Sequence, residues 1–253
     1  MKGAQSIEAV VLARNEEENI GDCLRSLFWA DALLVVDDGS TDRTPSVAAL
    51  LGAQVLGHPM RDYAQQRNAA LEVATCDWVF FVDADERCTP ALAGELARVV
   101  QQDKAGWWVP RDNYIFGRLT RHAGWFPDYQ LRLLKRGKAR YDPARPVHET
   151  VILDSGDGRL SNCLVHYNYR SLAQFRAKQR RYAELEAEAL AQRGVRPKVH
   201  SLALQPWREF RRRFVTLQGY RDGGHGLLLS LLLAYYTFQT YSRLLRSGRE
   251  VAL

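Results

Sequence analysis

Two apolar runs that each end in an acidic cluster constrain this chain most. The first reads Leu33-Leu34-Val35-Val36-Asp37-Asp38-Gly39-Ser40-Thr41-Asp42, and the second Trp78-Val79-Phe80-Phe81-Val82-Asp83-Ala84-Asp85-Glu86. Uninterrupted runs rich in Val and Phe, closed by turn formers, predict strands buried on both faces of a parallel sheet. Ligands of an open α/β sheet bind beyond the carboxyl ends of its strands, so both clusters belong on one rim. Grouped carboxylates repel one another unless a cation or a hydrogen-bonding ligand compensates them. A divalent metal carrying a diphosphate is the natural candidate, because hard cations take oxygen ligands and bridge phosphates.

The segments around these runs extend the pattern. Strands are predicted over 7–13, 32–36, 54–57 and 78–82, with helices over roughly 18–29, 44–51, 63–74 and from Pro90 to about Gln102. Thr89 is a good N-cap with Pro90 at N1, and Gly52 suits the position just past a helix end. This strand–helix alternation predicts an α/β chain with a doubly wound, mostly parallel sheet flanked by helices. Beyond Ala105 the alternation stops. Strands are read over 107–113, 130–135, 147–153 and 160–166, then a long polar helix from Ser171 to Gln192. A first domain over 1–170 and a C-terminal helical region over 171–253 follow from that division.

Asp83 and Asp85, flanking the small Ala84, suit Mg²⁺ or Mn²⁺ and, through the ion, a nucleotide diphosphate. Metal and ribose pull on different members of such a pair, and Asp85 is the better direct ligand; the plain alternative is an N-cap. Asp37 and Asp38 suit hydrogen bonds to a base N–H or a ribose hydroxyl, though Asp, Gly and Ser are also what turns use. Arg14 and Glu16 follow the first strand on the same rim, whereas Glu17 and Glu18 read as an acidic first turn that complements the helix dipole. Arg67 could reach a phosphate or lie on a solvated helix face. Glu149, in His148-Glu149, could deprotonate an incoming hydroxyl, and Asp128 is the competing base. His166 reads as a packed histidine.

The 253 residues carry a net charge of +6, with the excess mostly in the second half, which suggests an anionic partner. The four cysteines are scattered with no zinc spacing, as expected of reduced thiols in a cytosolic protein. No long apolar region opens the chain as in a signal peptide. The longest apolar run, 226–238, is short of the ~20 residues that span a bilayer. In the tail, Trp207, Phe210, Phe214 and Leu217 share helical spacing with Arg208, Arg211, Arg212 and Arg213 between them. A hinge-like stretch over 219–226 and an apolar helix ending in aromatic residues follow. That composition suits an interfacial element on anionic lipid, with a core or oligomer helix as the alternative. Nucleic acid is disfavoured as a partner, because the sheet rim is acidic.

In order and spacing, Val11-Leu12-Ala13-Arg14-Asn15-Glu16-Glu17, Val36-Asp37-Asp38-Gly39-Ser40-Thr41-Asp42, Gln66-Arg67-Asn68-Ala69-Ala70-Leu71 and Phe81-Val82-Asp83-Ala84-Asp85-Glu86 resemble glycosyltransferase family 2, with the GT-A fold. Pro127-Asp128-Tyr129-Gln130-Leu131-Arg132-Leu133, Val147-His148-Glu149 and the Gly-rich tail resemble its bacterial branch of lipopolysaccharide-core glucosyltransferases. The resemblance implies an inverting, metal-dependent transfer from a nucleotide sugar, UDP-glucose foremost, onto a lipid-linked saccharide such as the heptose inner core. A polyprenyl-phosphate or other envelope glycan acceptor is the alternative, and a nucleotidyltransferase a more distant one. It also implies that Arg14, Glu16, Asp37 and Asp38 hold the nucleoside and that Arg67 approaches the diphosphate. Asp83 and Ala84 line the donor, Asp85 binds the metal, and Glu149 is the general base. His148 stands where the better-known motif has an acidic residue. The expected location is cytoplasmic, peripheral on the inner face of a bacterial cytoplasmic membrane.

Overall fold

The computed structural model describes residues 5–58, 63–142 and 150–250. Its first half follows the alternation read from the sequence. The elements are β1 (Ile7–Ala13), α1 (Ile20–Arg25), β2 (Ala32–Asp37), α2 (Thr44–Leu50), β3 (Gln54–Gly57), α3 (Tyr63–Val73), β4 (Trp78–Asp83), β5 (Glu86–Cys88) and α4 (Pro90–Val99). The second half begins with strands β6 (Gly106–Ile115), β7 (Arg118–Thr120), β8 (Tyr129–Lys135), β9 (Ala139–Tyr141), β10 (Val151–Leu153), β11 (Asp157–Arg159) and β12 (Leu164–Tyr169). Helices α5 (Leu172–Gln192) and α6 (Ser201–Arg211) lead to a π-helical turn, Arg212–Thr216, a 3-10 turn, Gly219–Asp222, and α7 (Gly223–Glu250).

The main sheet runs in the order β3-β2-β1-β4-β8-β6-β12-β5. Its first four strands are parallel, so their carboxyl ends share one rim, and β8 and β6 add on antiparallel. Alternation sends Val11, Val35 and Phe80 to one face, where they pack with Ile20, Leu24, Ala48, Leu92 and Leu96 of the helices. Val10, Leu34, Val36 and Phe81 go to the other, against Ala64 and Ala70 of α3. Both faces are covered, which is why these strands read as continuous apolar runs. Each fully buried side chain of this size contributes roughly 1.5–3 kcal/mol.

The chain divides into two compact units, Met1–Asp112 with Asp128–His166, and Asn113–Pro127 with Tyr167–Leu253. The second has its own core of Ile115, Tyr169, Phe175, Leu229, Leu233 and Tyr236, in which the rings of Tyr169 and Phe175 meet edge-on at 4.8 Å. Among the described residues no helix is long and apolar enough to cross a membrane.

Three expectations need correction. The helix expected over 18–29 is α-helical only from Ile20 to Arg25. The Ser26 hydroxyl donates back to the Cys23 carbonyl at 2.7 Å, and Leu27 and Ala30 close i→i−3 bonds that tighten the chain out of the helix. The last strand is displaced from 160–166 to Leu164–Tyr169, because Leu160 donates its N–H to Trp108 instead. The stretch over 219–226 is no hinge. It is a 3-10 turn followed by the start of α7, and a Cβ on Gly226 would lie 1.9 Å from the Gly219 carbonyl oxygen. Glycine there serves close backbone contact. Of the strand expected over 147–153, Val151–Leu153 is seen as β10; residues 143–149 lie outside the described ones.

Candidate active site

The loops after β1 and β2 are stitched together at the rim. Asn15, in the left-handed region at φ 53°, accepts from the Thr41 N–H at 2.8 Å through its side-chain oxygen and donates its own N–H to Ser40 Oγ at 2.9 Å. The Glu16 N–H donates to Thr44 Oγ1, and Glu17 pairs with Arg43, in keeping with a structural role for Glu17. Arg14 Nη1 lies 3.1 Å from Asp38 Oδ2, which puts one exposed cation and one nearly buried carboxylate at the end of β2. Asp37 is 7% exposed; its Oδ2 accepts from the Ser40 N–H, while its buried Oδ1 has no partner among the described residues. A buried, unsatisfied carboxylate oxygen is costly unless a ligand donor reaches it. Glu16 Oε2 accepts from Asn19 at 2.5 Å.

The second cluster separates into different tasks. Asp83 ends β4, and the guanidinium of Arg132, on β8, donates to both of its oxygens. Burial opposes ionisation of Asp83, but the charge and hydrogen bonds of Arg132, with weaker help from Arg67 and Arg111, hold it well below the usual carboxylate range. Glu86 is fully buried, accepts from Arg132 at 3.1 Å and Arg111 at 3.2 Å, and takes the Asp83 N–H at 2.8 Å. Ala84 is buried, and its carbonyl accepts from Arg87. Asp85, in the turn between β4 and β5, keeps a quarter of its side chain exposed and stands 3.6 Å from Nε2 of His166 on β12.

Arg67 projects from α3 beneath this cluster. Its guanidinium lies over the rings of Phe81 and Tyr141, 5.7 and 5.4 Å from their centroids, and 3.9 Å from Asp83. Asn68 exchanges two hydrogen bonds with the Tyr141 backbone, at 2.8 and 2.9 Å, and so anchors β9. β9 pairs with β10, and the Asp142 N–H donates to the Thr150 carbonyl; residues 143–149 lie outside the described ones, Glu149 among them. Asp128 is held by Arg111, at 2.9 and 2.6 Å, and by Gln130 at 2.9 Å.

The donor set suits a hard divalent cation. Asp85 and the buried His166 set one carboxylate and one imidazole side by side, whereas Asp83 is taken up by Arg132. Among the described residues no three such side chains gather into a metal cage. Two protein ligands completed by diphosphate oxygens and water are the usual arrangement for a cation carried with a phosphate substrate. Sequence reasoning gives Arg132, Arg111 and Glu86 no individual role and takes His166 for a packed histidine. Each of β6 and β8 carries a single arginine, and only the pairing of distant strands brings the two to the acidic turn.

The carboxyl-end rim of the parallel strands thus gathers two acidic clusters with arginines behind the second. The glycosyl transferase family 2 model matches residues 8–155, and the chain belongs to this family. It is 30% identical over 254 aligned residues to the lipopolysaccharide core biosynthesis glycosyltransferase LpsC of Rhizobium meliloti (strain 1021), covering 94% of this chain and 91% of that one. An uncharacterized glycosyltransferase of Rickettsia bellii (strain RML369-C) is 25% identical, covering 98% and 88%. Among solved structures, S. aureus TarS 1-349 shares the fold at a TM-score of 0.50 and 15% identity, covering 94% of this chain and 91% of that one. The fold is of the GT-A type, with a C-terminal helical region.

Proposed function

We propose that this protein transfers a sugar, glucose from UDP-glucose in the first instance, onto a lipid-linked saccharide with inversion at the anomeric carbon. The observation that carries the reading is the split within the acidic cluster: Arg132 binds Asp83, and Asp85 is left at the rim beside His166. The likeness to LpsC supports a lipopolysaccharide-core acceptor. A polyprenyl-phosphate or other envelope glycan is the alternative. The protein works at the inner face of the cytoplasmic membrane, with its C-terminal region against anionic lipid.

In this reading Asp37 and Asp38 accept from the nucleoside, with Arg14 and Glu16 closing that side. Arg67 faces the diphosphate, and Asp83, fixed by Arg132, lines the ribose beside Ala84. Asp85 and His166 hold Mg²⁺ or Mn²⁺. Held there, a divalent cation would supply neutralisation of the charge on the leaving nucleoside diphosphate. Glu149 takes the proton from the acceptor hydroxyl as that oxygen attacks the face opposite the leaving group. The transition state is oxocarbenium-like, and one base suffices because no glycosyl-enzyme forms, as in inverting glycosidases. Asp128 suits the base role less well, since Arg111 and Gln130 occupy both of its oxygens.

The test is product formation from UDP-glucose and other sugar nucleotides with truncated lipopolysaccharide as acceptor. Glu149→Gln is expected to lose transfer while keeping donor affinity. Normal transfer by that variant would overturn the assignment of the base.

A further inference from the structure

We infer that one face of α6, continued by the π-helical turn, is a docking surface for the phosphate headgroups of an anionic bilayer. The inference rests on the proposed lipid-linked acceptor and adds which surface meets the lipid. Between Gln192 and Asp222 the chain carries eight Arg or Lys residues and one acid, Glu209. The structure sorts these cations. Arg212 and Arg213 fold back onto Glu209, at 2.9 and 2.5 Å, and Arg213 also donates to the Ala123 carbonyl at 2.8 Å. Arg208 and Arg211 are exposed, and among the described residues their guanidinium groups take part in no ion pair or hydrogen bond.

At 3.6 residues per turn, Leu204, Trp207, Arg208, Arg211 and Val215 fall on one stripe of the helix. Leu204 is 38% exposed, Trp207 60% and Val215 56%, so three apolar side chains stand in solvent between two available guanidinium groups. Along one side of the stripe, Trp207 stacks on Phe210 at 6.0 Å and Phe210 on Phe214 at 5.4 Å, and both phenylalanines are half-buried. The stripe borders a groove of about 480 Å³ lined by Leu204, Trp207, Arg208, Arg211, Arg212 and Thr216. A tryptophan and aliphatic side chains interleaved with arginines, with no acid on the stripe, match the interfacial layer of a bilayer. There the apolar groups enter the acyl boundary and the guanidinium groups meet phosphate. A protein partner would need an acidic, apolar surface of matching shape, and nothing on this stripe selects one. The neighbouring π-helical turn holds the 121–127 segment through Arg213, so lipid binds next to the loop that leads in sequence to Asp128.

The full chain is to be floated with vesicles of phosphatidylcholine alone and of phosphatidylcholine with phosphatidylglycerol, without sugar nucleotide. UDP binding with Mn²⁺ is measured separately by calorimetry. The expected result is salt-sensitive binding to the anionic vesicles only, weakened at least about tenfold by Arg208→Glu with Arg211→Glu, and weakened also by Trp207→Ala. The same charge change placed on α5, Arg180→Glu with Arg181→Glu, should leave vesicle binding nearly intact, and all variants should keep UDP binding. No vesicle binding by the wild type, equal loss in the α5 variant, or a preference for RNA over vesicles would each overturn the docking surface. Loss of UDP binding by the wild type would overturn the transferase reading instead.

Discussion

The buried guanidinium of Arg132 donates to both carboxylate oxygens of Asp83, one of them at 3.1 Å. The same group reaches Glu86 at 3.1 Å, so one cation bridges two acids at the β4–β5 turn, with Arg111 and Arg67 beside it. Arg132 is 3% exposed, and ionisation is favoured on both sides of the pair even though burial opposes it. Removing one partner of a buried network leaves uncompensated charge and costs about 3–5 kcal/mol. Arg132→Met should lower stability by that order in urea unfolding. Asp83→Asn with Arg132→Met should recover part of the loss. A change below about 1 kcal/mol in the single variant would mean that the pair is solvated and structurally unimportant.

The backbone of Gly226 leaves no room for a side chain. A Cβ there would sit 1.9 Å from the Gly219 carbonyl oxygen and 3.1 Å from Asp222 Cβ. Gly226→Ala should force the 3-10 turn away from α7 and destabilise by about 1–3 kcal/mol, as overpacking does. Thermal unfolding of this variant beside Gly224→Ala, where open space surrounds the new methyl, gives the comparison. Equal behaviour of the two would contradict the close contact.

His225 is buried, and its Nε2 lies 3.0 Å from Thr120 Oγ1. Burial first, then the charge of Arg118, lowers its pKa below the ordinary 6.5, with Asp222 opposing. The unfolded chain therefore binds this proton more readily than the folded one. Stability from neutral imidazole is fully present above pH 6.5 and is lost as pH falls from there toward the depressed value. The wild type should lose stability between pH 7 and 5.5 by a margin that His225→Asn does not show. Identical pH profiles would refute this.

The sequence carried the first half of the fold because burial on both faces of β1, β2 and β4 forces apolar runs, and turn chemistry closes them. Thr89 caps α4 through the Leu92 N–H as its residue type and place suggested. What could not be read was pairing between distant strands. β8 sits beside β4 although 46 residues separate Asp83 from Tyr129, and that neighbourhood brings Arg132 under the acidic turn. His166 read as a packing histidine for the same reason, since only the β12–β5 ladder places it near Asp85. In the tail, spacing revealed an amphipathic helix but not which arginines turn inward, because Glu209 captures two of them.

Cysteine chemistry follows burial. Cys23, Cys76 and Cys88 are buried, and Cys163 is partly exposed. Burial pushes the Cys88 thiol up to about 12 and Cys23 well above the normal range, so neither forms thiolate near neutral pH. Mild labelling of native protein should modify Cys163 first, with the other three reacting only on unfolding. Early labelling of Cys23, whose thiol lies 3.6 Å from the Asp83 carbonyl, would mean that the rim opens.

The most direct test of the donor site is calorimetric titration of UDP, GDP, ADP and CMP into wild type, Asp85→Ala and His166→Ala, with and without Mn²⁺. The account predicts metal-dependent binding of one nucleotide diphosphate, UDP foremost, weakened at least about tenfold in His166→Ala and abolished in Asp85→Ala. Equal, metal-independent binding by all three proteins, or no binding by folded wild type, would contradict it.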